Sequence, residues 1–182
     1  MKKAIGMVEF KTVSSGMRAA DRMVKTAEVE LLQADTVCPG KFLALISGDL
    51  SAVNAAVEAA ANIDREQLID TFVLGNPHDS IFSALYGTSQ IDSPNALGVI
   101  ETFSAATAVV AADVAAKTAL VDLIELRLAR GMCGKSYLLL TGEIAAVQAA
   151  IDRAKINAGE KGMFLDSAVI PRPDKKFWSK IL

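Results

Sequence analysis

The chain has 182 residues, of which 52% are hydrophobic and 22% charged, with a formal net charge of -2 and a pI near 5.5. That apolar content excludes a disordered chain, and the charge leaves no basic footprint for nucleic acid. Two cysteines, Cys38 and Cys133, give no disulfide framework, and no apolar run approaches the length of a membrane span.

The chain opens with MKKAIGMVEF, where Glu9 and Lys11 interrupt any signal-peptide core, so a cytoplasmic location is expected. An apolar strand over 3–10 is followed by an Ala-rich helix over 15–27, with Ser15 expected at its N-cap. Strands over 30–37 and 41–47 flank the turn TVCPGKF. Gly48 and Asp49 then start a second Ala-rich helix, the acid sitting at its positive end. A strand over 69–75 and a short terminal helix complete the first half. His78, the only histidine, is expected to cap that short helix.

The same elements then return. AIGMVEF reappears as ALGVIETF, a shift of 92 residues from Ala4 to Ala96. Under it Gly6 matches Gly98, Glu9 matches Glu101, and Ala19-Ala20-Asp21 matches Ala111-Ala112-Asp113. Lys25, Val29 and Leu31 likewise match Lys117, Val121 and Leu123. Slips of two residues align Gly40-Lys41 with Gly134-Lys135, then Asp70, Val73 and Pro77 with Asp166, Val169 and Pro173. An ordered series of matches along the whole chain indicates a duplicated domain. The second half therefore reads as strand 96–102, helix 104–119, strands 121–129 and 136–141, a second helix, strand 165–170 and a short helix. Each half is an α/β (α+β) unit with the ferredoxin-like order βαββαβ. The domains are placed at 1–88 and 96–182, with 89–95 as the linker inside a stretch rich in turn formers.

The repeated openings, the Ala-Ala-Asp…Lys helices, the turns PGKF and CGKSY, the helix starts SGDLSAV and TGEIAAV and the closing VIPRP resemble the bacterial microcompartment shell-protein domain. Two such domains in one chain resemble the tandem-domain shell proteins. The resemblance implies a homotrimeric pseudohexamer, flat, with six domains mimicking a hexamer, tiled with other shell proteins into a polyhedral shell within the cytoplasm. It also implies a [4Fe–4S] cluster, one per trimer, at the central pore and held by the turn cysteine of the first repeat, Cys38.

Read from the residues alone, Cys38 is either a small apolar residue at a strand end or a metal thiolate. Iron–sulfur clusters usually take four thiolates; one chain offers one here, and a threefold axis brings three together. Backbone N–H groups around Gly40 are expected to face cluster sulfides, with Lys41 favouring the thiolate. Pro39, Gly40 and Lys41 form one pore loop, and Cys133, Gly134 and Lys135 the other. Cys133 stands as an added ligand, an oxidisable thiol or, preferred here, a small turn residue. Lys25 and Lys117 read as solvated helix lysines; the family match places them, with Arg172 of VIPRP, at the tile edge. Asn76 replaces that arginine in the first repeat, so the edges are not equivalent.

The Gly-rich turns lack P-loop spacing, which excludes nucleotide cradling on that motif. Trp178 is expected as a packing anchor. No nucleophile–base–acid constellation is present, so no enzyme is expected. Luminal or cytosolic redox proteins are expected partners if the cluster passes electrons; nucleic acid and membrane are not. Two other readings keep different parts of this picture. One is a cluster-free tile whose central pore gates metabolites, the other a ferredoxin-like regulator that binds a small ligand.

Overall fold

The computed structural model describes residues 4–160 and 162–182. The expected start of the first strand at Lys3, and of the first domain at Met1, lies outside them. The chain forms two compact units, Met1–Pro77 and His78–Leu182.

The first unit holds β1 (Ala4–Phe10), α1 (Val13–Thr26), β2 (Val29–Val37), β3 (Lys41–Gly48), α2 (Leu50–Ala61) and β4 (Leu68–Gly75). Its antiparallel sheet runs β2-β3-β1-β4. Alternation along β1 sends Ala4, Gly6, Val8 and Phe10 to the helical side. There Ala4, Val8 and Phe10 join Phe42, Ala44 and Ile46 of β3, Ala19, Ala20 and Met23 of α1, and Val53, Ala56, Val57 and Ala60 of α2 in one core. The buried positions of α1, from Ser15 through Ala19 and Ala20 to Met23, follow the 3.6-residue period of an amphipathic helix.

The second unit repeats the design with β5 (Ala96–Thr102), α4 (Ala105–Thr118), β6 (Asp122–Arg127), β7 (Ser136–Gly142), α5 (Ile144–Glu160) and β8 (Phe164–Ile170), in the order β6-β7-β5-β8. Even the register irregularities recur. β1 shifts against β4 at Glu9/Phe10, and β5 against β8 at Glu101/Thr102. β2 shifts against β3 after Leu31, and β6 against β7 after Leu123. Bulges inherited in both copies are features of the design, not local accidents.

Two short helices, α3 (Ser80–Tyr86) and α6 (Lys175–Ile181), both belong to the second unit. The sequence assigns α3 to the first half, with the boundary at 88. The compact unit instead begins at His78, because α3 packs against β6 and α4. Trp178 of α6 is buried with Leu97 and Ile124, and Ile91, Val99, Leu139, Ile170 and Ile181 pack around them. The packing anchor read from sequence is therefore observed.

Ser15 does not cap α1. Thr12 is the N-cap residue, and Ser15 lies one turn inside, buried, its hydroxyl donating to Asp64 Oδ2 at 2.8 Å. The bond ties α1 to the connection between α2 and β4, which turn-preference reasoning cannot see. In the second unit Ser104 does cap α4, accepting from the Thr107 N–H. His78 behaves as expected: its Nδ1 lies 2.8 Å from Ser80 Oγ and 3.3 Å from the Ser80 amide at the start of α3.

Gly6 and Gly98 set how closely helix and sheet approach. A Cβ at Gly6 would lie 2.6 Å from Val53 Cγ1 and 2.7 Å from Val57 Cγ2; at Gly98 it would meet Leu140 Cδ1 at 2.7 Å and Val147 Cγ1 at 2.8 Å. One added methyl must displace a packed side chain. Gly98→Ala is expected to destabilise the second unit by about 1–3 kcal/mol, the usual range for overpacking. Urea unfolding followed by circular dichroism measures this, and an unchanged midpoint would show that the helix yields freely.

Candidate functional site

The β2–β3 turn, residues 38–40, is short and closed. Cys38 precedes a cis peptide bond to Pro39, and Gly40 has φ 90°, the left-handed region that glycine enters at least cost. The Gly40 N–H donates to Val37 O at 2.9 Å, closing the turn. Of the N–H groups around Gly40, that of Gly40 itself is therefore bonded within the chain. Cys38 is a half-buried free thiol.

Lys41 begins β3, and its Nζ donates to Glu9 Oε1 on the neighbouring strand β1. Glu9 pairs directly with Leu43, so Lys41 is its diagonal neighbour on the same sheet face. Both side chains are largely buried. A buried carboxylate requires such a partner, and the ammonium that sequence reasoning assigned to the thiolate is taken by Glu9. The pair escaped that reasoning because its partners are 32 residues apart.

The second hairpin connection is longer, covering 128–135. Ala129, Gly131, Cys133 and Gly134 have φ values of 53°, 73°, 53° and 86°. The Ala129 N–H donates to Ser136 Oγ at 3.0 Å, and that of Lys135 to Met132 O at 3.1 Å. Cys133 is exposed and Gly134 buried. Among the described residues, no group of three or more His, Cys, Asp or Glu side chains is placed to hold a metal. Each chain therefore offers one soft thiol at Cys38, and the nearby carboxylate Glu9 is already bonded to Lys41.

The duplicated lysines also find partners. Lys25 Nζ lies 2.7 Å from Asp21 Oδ2, and Lys117 Nζ 2.7 Å from Asp113 Oδ2. The first pair is exposed, whereas Asp113 is buried and its Oδ1 accepts the His78 N–H at 2.8 Å. Arg172 is exposed on the segment after β8, and Asn76, with φ 55°, occupies the matching place after β4.

One further cluster was not read from sequence. On β6, Glu125 accepts from Arg127 at 2.7 and 3.0 Å and from the Tyr137 hydroxyl of β7 at 2.6 Å, with the guanidinium 5.4 Å from the tyrosine ring centre. Burial first, and then the bond to Glu125, push the Tyr137 phenol up to about 12. The group lines a cleft with Ser89, Lys180 and Ile181.

The fold and the paired turns define a tandem protein of two ferredoxin-like domains built from one repeated unit. BMC domains match residues 4–77 and 96–173, and the chain belongs to the bacterial microcompartment shell-protein family. It is 38% identical over 182 residues to the bacterial microcompartment shell protein PduT of Citrobacter freundii, covering 100% of this chain and 99% of that one. A carboxysome shell protein of Synechocystis is 31% identical over 85 residues, 44% of this chain and 82% of its own length, about one repeat. The crystal structure of a microcompartments protein from Desulfitobacterium hafniense DCB superposes with a TM-score of 0.94 at 41% identity, covering 98% of this chain and 99% of that one. The chain is a structural shell protein of a bacterial microcompartment. Among the described residues, no helix is long and apolar enough to cross a membrane.

The raised Tyr137 phenol predicts a resolved alkaline titration. The chain has two tyrosines, and phenolate absorbance is expected to show a step near pH 12 for Tyr137. Tyr137→Phe should remove that step. Because the folded value lies above the ordinary one near 10, stability is retained below about pH 10 and falls as pH rises toward 12. Titration of Tyr137 near the ordinary value of about 10 would contradict its burial and its bond to Glu125.

Proposed function

We propose that three copies of this shell protein form one tile, with their Cys38 turns around a common axis, and that the three thiolates hold one [4Fe–4S] cluster. The supporting observation is the turn itself: one half-buried thiol per chain, at the tip of a closed three-residue connection. When bound, such a cluster supplies one-electron redox chemistry, and electron transfer across the shell to luminal or cytosolic redox proteins is its use. Closed threefold symmetry supplies three equivalent cysteines from one sequence position. Three thiolates leave one iron for a water, a small ligand or a thiol from solution.

The chain's own residues support this arrangement in separate ways. Gly40 and the Val37 carbonyl hold the turn shut, and the Glu9–Lys41 pair fixes the first residue of β3 behind it. Pro39, Gly40 and Lys41 line one pore loop, while Cys133, Gly134 and Lys135 line a second. Cys133 serves as a turn residue, its left-handed φ shared with its neighbours. Lys25, Lys117 and Arg172 form the tile edge that meets other shell proteins, with Asn76 making alternate edges differ.

After anaerobic reconstitution, about four irons and four acid-labile sulfides per three chains are expected, with a brown visible spectrum. Cys38→Ser should lose both, while Cys133→Ser keeps them. Iron-free protein in every variant would instead leave a tile with an open pore that passes metabolites. For the edge, Lys25→Ala with Arg172→Ala is expected to abolish extended sheets under electron microscopy while trimers persist. Intact sheets from that double variant would remove these side chains from the edge.

A further inference from the structure

The Glu125–Arg127–Tyr137 group belongs to the second unit alone. Strand register fixes which positions correspond. Glu125 faces Leu139 as Gln33 faces Leu45, and Arg127 faces Tyr137 as Asp35 faces Leu43. The first unit therefore has glutamine, aspartate and leucine where the second has its hydrogen-bonded trio. Both sets form the same ladder, bulge included, so the sheet does not require the trio.

The trio holds a cation that is only partly used. Arg127 donates its Nε–H and one Nη2–H to Glu125 Oε1, at 3.0 and 2.7 Å. A guanidinium has five N–H groups, so the Nη1 edge stays open. The Glu125 carboxylate on one side and the Tyr137 ring, 5.4 Å from the guanidinium carbon, fix its orientation. Lys180 of α6 brings a second cation to the same cleft. Among the lining side chains, two cations thus face one carboxylate, which leaves a single positive charge. Ser89, on the segment after α3, also lines the cleft, and its Oγ is buried with no hydrogen-bond partner. A buried hydroxyl left unpaired is costly, and its O–H is a donor in want of an acceptor. Ile124, Leu139 and Ile181 make the rest of the wall apolar, and the cavity of about 430 Å³ is of small-molecule size.

We propose that this cleft binds a small monocarboxylate carried on a short apolar stem. The carboxylate takes the open edge of Arg127 in a charge-assisted pair, with Lys180 and the Ser89 hydroxyl as further donors. The stem covers Ile124, Leu139 and Ile181. One negative charge balances the lining side chains, whereas a phosphate dianion would overshoot them. Tyr137, whose own proton is committed to Glu125, acts as a positioning residue behind Arg127. The site does not depend on the cluster proposed at Cys38, and either can fail without the other.

Isothermal titration calorimetry of the full chain with sodium pentanoate tests this. Saturable binding is expected, with pentylamine at neutral pH and inorganic phosphate each at least about tenfold weaker. Arg127→Gln should weaken pentanoate at least about tenfold, and Ser89→Ala and Lys180→Ala about threefold each. Lys176→Ala, on the same helix but outside the cleft, should leave the affinity unchanged. Pentanoate that fails to bind wild type, or binds Arg127→Gln as well as wild type, would overturn the site. Equal affinity for pentylamine would remove the carboxylate from recognition, and equal affinity for phosphate would remove the stem; each overturns the assignment. Should Arg127→Gln fold poorly by circular dichroism, Lys180→Ala at the exposed end of α6 decides in its place, and undiminished binding there would reject the proposal.

Discussion

The close approach of helix to sheet across a position without a side chain is the constraint on which the rest depends. Gly6 lets α2 settle on β1, and Gly98 lets α5 settle on β5, with no room for a methyl at either place. That approach fixes the helical layer and so the frame of β1 and β3, from whose neighbouring ends Glu9 and Lys41 reach each other. The cysteine turn is the link immediately before Lys41, so its placement follows from core packing and needs no dedicated scaffold.

Much of this was legible because duplication gives each signal twice. Helices, strands and their order match the sequence reading to within a residue or two at most boundaries, the usual latitude of such limits. Local signals served well where the contact is local: His78 turns back on Ser80, two residues on. They failed where a distant partner competes. Ser15 has the chemistry of a cap, but Asp64 takes its hydroxyl. Lys41 has the charge to favour a thiolate, but Glu9 holds it. The Glu125–Arg127–Tyr137 group depends on strand register, and no residue in it is unusual for an exposed strand.

The allocation of α3 was the largest departure, and its cause is energetic. Ile81 and Ala84 need an apolar surface, and a seven-residue helix has too little internal stability to stand alone. The surface it finds is β6, in sequence beyond the linker. Sequence adjacency and spatial adjacency therefore part company at Pro77. Repeat matching cannot detect this, because it compares what residues are and not what they touch.

That offset has a consequence during synthesis. The first unit has all of its strands once Gly75 is made, so it can pack as soon as Pro77 clears the ribosome. The helix that follows cannot, because its partner strand is not complete until Arg127. For the interval in which residues 87–127 are being added, the apolar side of α3 has nothing of its own to lie against. A nascent chain paused there would present Ile81 and Ala84 to whatever else is nearby, and the tempo of translation through the linker becomes part of how the second unit is assembled.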